Sequence, residues 1–381
     1  MSLVTAAEPF RSELLELSHF IHAHPELGYE EFESSAACRR VLAAHGFAIE
    51  ENAAGLATAF RAVAGNGSLV VAMCVEFDAL PDVGHACGHN IIAAASVGAG
   101  LVLAEKADEL GITVVVLGTP SEEGGGGKID LINAGYFDDV HFSLMVHPWP
   151  NDRLRAMCLA VDHFDATFTG KNAHASAAPW EGRNALDALT ISQVAVGLLR
   201  QQLRPGDQVH GITTEGGAAA NIIPSKAVGR YMCRSVTYER LDVLRSRVEK
   251  CFQAGALATD TELSIETLGH PFSHMVDDLD ILAHYRVAAE ATGRSFAADD
   301  AGEPIPTIST DMANVSLVVP AIHPLIGIDT HGAVNHQPEF TASCITDSAD
   351  RAVIDGAGIM AETVARVAGD DALRHRLETR A

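Results

Sequence analysis

Two short, almost unbroken apolar runs, Leu69 to Val75 (LVVAMCV) and Ile112 to Leu117 (ITVVVL), restrict what this chain can fold into more than any other feature. A strand that is apolar at successive positions has both faces covered, as a parallel strand inside an α/β sheet does. Between the runs, Ile91 to Glu105 is rich in alanine and glycine and lacks proline, which suits a helix packed close on that sheet. Phe142 to Val146 and Ala321 to Ile328 read as further strands. Glu31 to His45 has helical spacing and stops at Gly46, and Ser343 to Val367 reads as a long closing helix ended by Gly369. This alternation predicts an α/β fold: a mainly parallel sheet flanked by helices.

The middle of the chain follows another order. From about His163 it reads as strand, helix (Asn184 to Leu203), strand (Val209 to Thr214), strand (Ala227 to Arg234), helix (Glu239 to Ala256) and strand (Glu262 to Leu268). That β-α-β-β-α-β order is the split, ferredoxin-like arrangement. The expected organisation is a sheet domain of residues 1–161 and 273–381, interrupted by an inserted ferredoxin-like α+β domain of residues 162–272.

Composition removes several classes of function. Fifty acidic residues against 26 basic ones give a formal charge of -24, which repels phosphate backbones and anionic lipid, so neither nucleic acid nor a membrane surface is an expected partner. No apolar run reaches the roughly 18–20 residues of a membrane span. The N-terminus lacks the basic start and continuous apolar stretch of a signal peptide. Seven cysteines scattered from Cys38 to Cys344 form no disulfide framework, so a reducing, cytoplasmic setting is expected. The 18 histidines of an otherwise acidic chain direct attention to metal.

Ligands of an open parallel sheet bind at the carboxyl ends of its strands. After LVVAMCV comes EFDALPDVGHACGHN, residues 76–90; after ITVVVLG comes Thr119-Pro120-Ser121-Glu122-Glu123; after FSLMV comes His147-Pro148; after the last strand comes Asp329-Thr330-His331-Gly332-Ala333-Val334-Asn335-His336. Each of these loops supplies a thiolate, imidazole or carboxylate able to bind metal. Any one of them alone has a commoner explanation: a buried cysteine, a solvated acidic pair, a hydrogen-bonded core histidine. Their convergence at one sheet edge points to metal. Carboxylates and imidazoles with one thiolate suit Zn²⁺, with Mn²⁺ as competitor, and so many donors are best used by two ions sharing a bridging group. Glu122 and Glu123 can then divide the work, one binding metal and the other taking a proton from the bridging water. The glycines Gly124 to Gly127 precede Lys128-Ile129, which breaks the phosphate-binding loop pattern.

At these residues the chain resembles the dinuclear amidohydrolases and metallopeptidases of peptidase family M20, which includes aminoacylase, carboxypeptidase G and the auxin-conjugate hydrolases. The resemblance runs from His24-Pro25-Glu26-Leu27 to the final helix and is most specific at Asp78-Ala79-Leu80-Pro81, Cys87-Gly88-His89 and Pro120-Ser121-Glu122-Glu123-Gly124. Cys-Gly-His marks the branch with a cysteine ligand, and EFDALPDVGHACGHN is most similar to the aminobenzoyl-glutamate and β-alanyl-dipeptide hydrolases. The resemblance implies that Cys87 bridges two divalent ions, Zn or Mn, with His89, Glu123, His147 and His336 completing their coordination. It makes Glu122 the general base and places Asp78 behind the metals. His336 is preferred to His331 because His-Gln-Pro-Glu-Phe matches the family's His-x-Pro-x-Phe. The inserted domain resembles the family's lid and dimerisation domain. There His174 corresponds to the histidine that reaches a partner subunit's site to stabilise the oxyanion, Asn221 to an amide on the substrate, and Arg234 to the guanidinium that binds the substrate carboxylate. The chain departs from the family's commonest pattern at Asn90 and at Glu76, both usually Asp.

The implied function is metal-dependent hydrolysis of the amide bond of an N-acyl amino acid, dipeptide or aminobenzoyl-amino acid by a metal-bridging hydroxide, in a homodimer. One alternative is a non-catalytic small-molecule-binding protein on the same scaffold, against which the intact Glu122 speaks. The other is a thiol hydrolase using Cys87 and His89, which leaves Glu122, Glu123, His147 and His336 without a task.

Overall fold

The run Leu69–Val75 is a strand, and its period of two is visible in the packing: Val71, Met73 and Val75 enter one apolar core, Ala72 and Cys74 another. The parallel neighbour Ile112–Gly118 divides in the same way, Val114 and Val116 against Val115 and Leu117. A computed structural model describes residues 2–296 and 307–380. It separates the chain into two units, Met1–Met157 with Met275–Ala381, and Cys158–His274.

The first unit is built on a six-stranded sheet in the order Ala48–Glu51, Phe60–Gly65, Ile112–Gly118, Leu69–Val75, Phe142–Leu144, Ala321–Ile322. The last four strands pair in parallel, and the first two are added antiparallel at one edge. The larger core gathers the helices Arg11–Ala23, His89–Ala104 and Asp347–Gly369 on one face. Small residues let the middle helix approach. A Cβ on Gly100 would stand 2.7 Å from Val116 Cγ2, and one on Gly98 would stand 2.7 Å from Leu14 Cδ1 and 2.9 Å from Ala357 Cβ. The closing helix begins at Asp347 because Thr346 caps it, Oγ1 accepting from the Ala349 N–H. Of its expected first turn, Ser343 ends a separate short helix, Pro338–Ser343, and Cys344 to Thr346 form the turn between the two helices.

The expected strand Ala321 to Ile328 is not continuous. It is two short strands, Ala321–Ile322 and Leu325–Gly327, in different sheets. Pro324 lies at the break, and a proline has no N–H to give a sheet ladder.

The second unit is a four-stranded antiparallel sheet in the order Glu262–Thr267, Ala160–Thr169, Lys226–Ser235, Gln208–Glu215, which is the ferredoxin-like topology. Its helices Ala185–Leu199 and Tyr238–Thr259 start at side-chain caps from Asn184 and Thr237. Phe164, Phe168, Tyr231 and Phe252 form its aromatic core.

Candidate metal centre

The carboxyl end of Leu69–Val75 opens directly into the chemistry. Asp78 is 1% exposed and accepts from His89 Nδ1 at both its carbonyl oxygen (2.9 Å) and Oδ1 (3.0 Å), while Oδ2 takes the Glu123 N–H at 2.9 Å. This places the proton of His89 on Nδ1 and turns Nε2 toward the cluster. Gly88 makes the turn between Cys87 and the helix His89–Ala104. Its φ of 75° is a left-handed conformation, and a Cβ there would meet Pro148 Cγ at 2.5 Å.

Glu122 and Glu123 follow a second left-handed residue, Ser121 (φ 58°). That turn is held from outside its own loop: Glu31, fully buried, accepts from the Ser121 N–H and from Thr58 Oγ1, both at 2.8 Å. Burial and the nearby Asp78 push the Glu31 carboxyl up to about 7. His147 Nδ1 donates to the Pro148 carbonyl oxygen at 2.8 Å, leaving Nε2 free for a ligand. Burial holds its pKa down at about 4, so the ring is neutral.

Three sets of donor atoms emerge, each with its members within 4.8 Å of one another: Cys87, His89 and His147; Cys87, Glu123 and His336; and Glu76, His89 and Glu122. Cys87 is common to the first two, and His89 to the first and third. His89 Nε2 lies 3.8 Å from Glu122 Oε2 and 3.9 Å from Glu123 Oε1, and His336 Nε2 lies 3.8 Å from Glu123 Oε2. His331 is not part of this: its side chain is 79% exposed and its Nδ1 is 3.3 Å from Asp329. Asn90 donates to Ser18 Oγ (2.9 Å) and the Cys344 carbonyl oxygen (3.0 Å); an ionised carboxylate could accept from the Ser18 hydroxyl but has no proton for the carbonyl oxygen.

The electrostatics identify what the cluster is suited to hold. Burial, then the charges of Glu123 and Glu122, raise the Cys87 thiol well above its ordinary range. Burial, then Glu76 and Glu123, do the same to Glu122, and burial with Asp78 raises Glu123. His89 Nε2 and Glu123 Oε1 are buried without a hydrogen-bond partner among the described residues. Acids crowded out of water, with unpartnered lone pairs facing one another, fit a pair of cations: these relieve both the repulsion and the missing bonds. One sulfur with nitrogen and oxygen donors suits Zn²⁺ or Mn²⁺.

Sequence reasoning missed four buried residues here. Glu31 holds the Ser121 turn. Lys128, fully buried, bonds Glu76 Oε1 (2.7 Å) and Asp311 Oδ1 (2.5 Å). His323 is 2% exposed with its ring 5.6 Å from that of His147, and burial together with His147 lowers its pKa to about 3. The one available signal was Lys128, a lysine directly after four glycines, which a search for phosphate loops discards.

In the second unit His174 is exposed. Its Nδ1 accepts from the N–H groups of Ser176 and Ala177 at 3.3 and 3.2 Å, and its backbone bridges Ile222 beside Asn221, which is also exposed. Arg234 lies half-buried on the Lys226–Ser235 strand, and burial alone lowers its pKa.

Comparison with known proteins agrees with this picture. Residues 161–260 match the peptidase dimerisation domain of the M20 family. The chain is 38% identical over 362 residues to the Xaa-Arg dipeptidase of Mus musculus, covering 91% of this chain and 84% of that one. It is 31% identical over 277 residues to one of the subunits of the p-aminobenzoyl-glutamate hydrolase of Escherichia coli K12, covering 67% and 58%. A dinuclear metal-binding peptidase of the M20 family from Bacillus subtilis superposes with a TM-score of 0.72 at 21% identity, covering 95% and 99%. With such identity over nine-tenths of its length, this chain belongs to the M20 family and is a metal-dependent hydrolase of amide bonds.

Proposed function

We propose that this enzyme cleaves dipeptides or N-acyl amino acids carrying a free carboxylate, aminobenzoyl-amino acids included, with two divalent ions, Zn²⁺ or Mn²⁺, in each subunit of a cytoplasmic homodimer. The observation that carries this reading is the pair of donor sets meeting at Cys87. Cys87, His89 and His147 hold one ion; Cys87, Glu123 and His336 hold the other; Asp78 fixes the His89 ring. When bound, such a pair lowers the pKa of water and draws electron density from a carbonyl. Glu122 takes the proton of the attacking water as the new C–O bond forms. It then gives that proton to the amide nitrogen as the C–N bond breaks. Without cations, burial and the neighbouring Glu76 and Glu123 hold Glu122 well above the ordinary carboxylate range; bound ions would offset that repulsion and leave its carboxylate ionised, as a base must be. His174 donates to the oxyanion, Asn221 binds the substrate amide, and Arg234 takes the substrate carboxylate with its planar fork. Support for these three roles comes from the family motifs and, for Arg234, from a guanidinium already partly stripped of water.

The dimerisation-domain match supports the homodimer. Among the described residues no helix is long and apolar enough to cross a membrane. The relatives' names suggest the first substrates to test, Xaa-Arg dipeptides and aminobenzoyl-glutamate. In Glu122→Gln, kcat should fall by roughly 10²–10⁴ while two ions per chain remain by elemental analysis. Substantial turnover by that variant would remove Glu122 as the base.

A further inference from the structure

Glu76 has no task in the reaction described above, yet its surroundings are built with care. The side chain is fully buried at the end of the Leu69–Val75 strand. Oε1 accepts from Lys128 Nζ at 2.7 Å; the same ammonium bonds Asp311 Oδ1, and Asp311 Oδ2 accepts the Lys128 backbone N–H at 3.0 Å. One cation is thus shared between two carboxylates, and the buried trio keeps an excess negative charge. Retaining that in a dry interior is costly unless a further cation balances it. The remaining oxygen, Glu76 Oε2, has no hydrogen-bond partner among the described residues and lies 3.5 Å from His89 Nε2, itself without one.

His89 offers a single lone pair, because its Nδ1 proton is committed to Asp78. Two sets of donors nevertheless converge on that nitrogen: Cys87 with His147, and Glu76 with Glu122, each set with its donor atoms within 4.8 Å of one another. One lone pair cannot serve two ions at once. The two sets stand as separate trios that share His89 alone, so an ion held on His89 Nε2 by one trio has the donors of the other as its neighbours.

We propose that Glu76 Oε2 is a further protein donor to the ion held by Cys87, His89 and His147, and that Lys128 and Asp311 keep that carboxylate aimed. This rests on the dinuclear reading above. The length of the side chain matters: an aspartate here would draw the carboxylate back by one C–C bond, about 1.5 Å, away from His89. The added hard oxygen shifts a sulfur- and nitrogen-rich set toward Mn²⁺ and away from strict four-coordination.

The test uses the full-length protein and its variants Glu76→Asp, Glu76→Gln and Lys128→Met. Each is stripped with chelator, checked for folding by circular dichroism, and titrated with Mn²⁺ and Zn²⁺ by calorimetry and elemental analysis. The wild type should bind two ions. In both Glu76 variants one of the two steps should weaken tenfold or more, Mn²⁺ more than Zn²⁺, with the other step unchanged. Lys128→Met should weaken the same step by less, because the carboxylate remains but is loosely held. Cobalt substitution adds a readout that mere destabilisation would not move: the ligand-field bands of the weakened ion should change while thiolate-to-cobalt absorption from Cys87 persists. If Glu76→Gln fails to fold, Glu76→Asp, which keeps the charge, decides. Two ions bound with wild-type affinity and an unchanged Mn/Zn ratio in Glu76→Asp would overturn the assignment and leave the dinuclear reading standing. A wild type that binds no ion would overturn both.

Discussion

At the scale of single residues, the centre is a set of acids made reluctant to ionise until a cation arrives. Cys87 and Glu123 hold their protons above the ordinary ranges, so an ion that takes them must expel those protons. Affinity therefore falls as pH falls, by about tenfold per pH unit for each proton released. Calorimetric titration at several pH values, in two buffers of different ionisation enthalpy, counts the protons. The two nearby histidines give a sharper contrast. His336→Ala should cost one ion per chain, whereas His331→Ala, at a side chain 79% exposed and paired with Asp329, should cost none; elemental analysis of the two variants separates them. The residues that the structure brings together, Cys87, His89, Glu123, His147 and His336, were legible as candidates in the sequence because short motifs carry them to strand ends. Glu31, Lys128, Asp311 and His323 were not, because what marks them is burial beside a site assembled from distant segments. No local spacing encodes that.

At the scale of elements, the apolar runs were legible because a strand covered on both faces writes its environment into every position, as Leu69–Val75 and Ile112–Gly118 do. Phe142–Leu144 is shorter than its apolar run. The Ala321 to Ile328 segment shows what hydropathy leaves out: its residues are apolar almost throughout, yet the chain steps from one sheet to another at Pro324. The helix Arg11–Ala23 was also missed, since mixed apolar and acidic residues hid a face that buries Leu14, Leu17 and Ile21. Close packing of the helix His89–Ala104 makes a stability prediction. Gly98→Ala gains up to about 1 kcal/mol of helix propensity, but its methyl would stand 2.9 Å from Ala357 Cβ, an atom with no rotamer to retreat into. Overpacking costs about 1–3 kcal/mol, so net destabilisation is expected, read as a lower midpoint in urea with an unchanged slope.

At the scale of the molecule, the two units have separate cores, and the donor sets lie wholly in the first. Ions that bind only the folded first unit stabilise it by mass action, by ~4 kcal/mol at ~1,000-fold excess over Kd. Chelation should then lower the melting of that unit by on the order of 10 °C and leave the ferredoxin-like unit where it was. Scanning calorimetry with and without chelator tests this; an equal shift of both transitions would contradict it. The two ends of the centre also differ in their access to water: His89 is 1% exposed, whereas the His336 side chain is 62% exposed. A chamber shut at the back and ajar at the front has a direction of traffic. In the proposed two-ion centre the cation on His336 would exchange with the medium more readily than the one on His89 and His147, so mild depletion should yield a protein that is half charged rather than a mixture of full and empty ones.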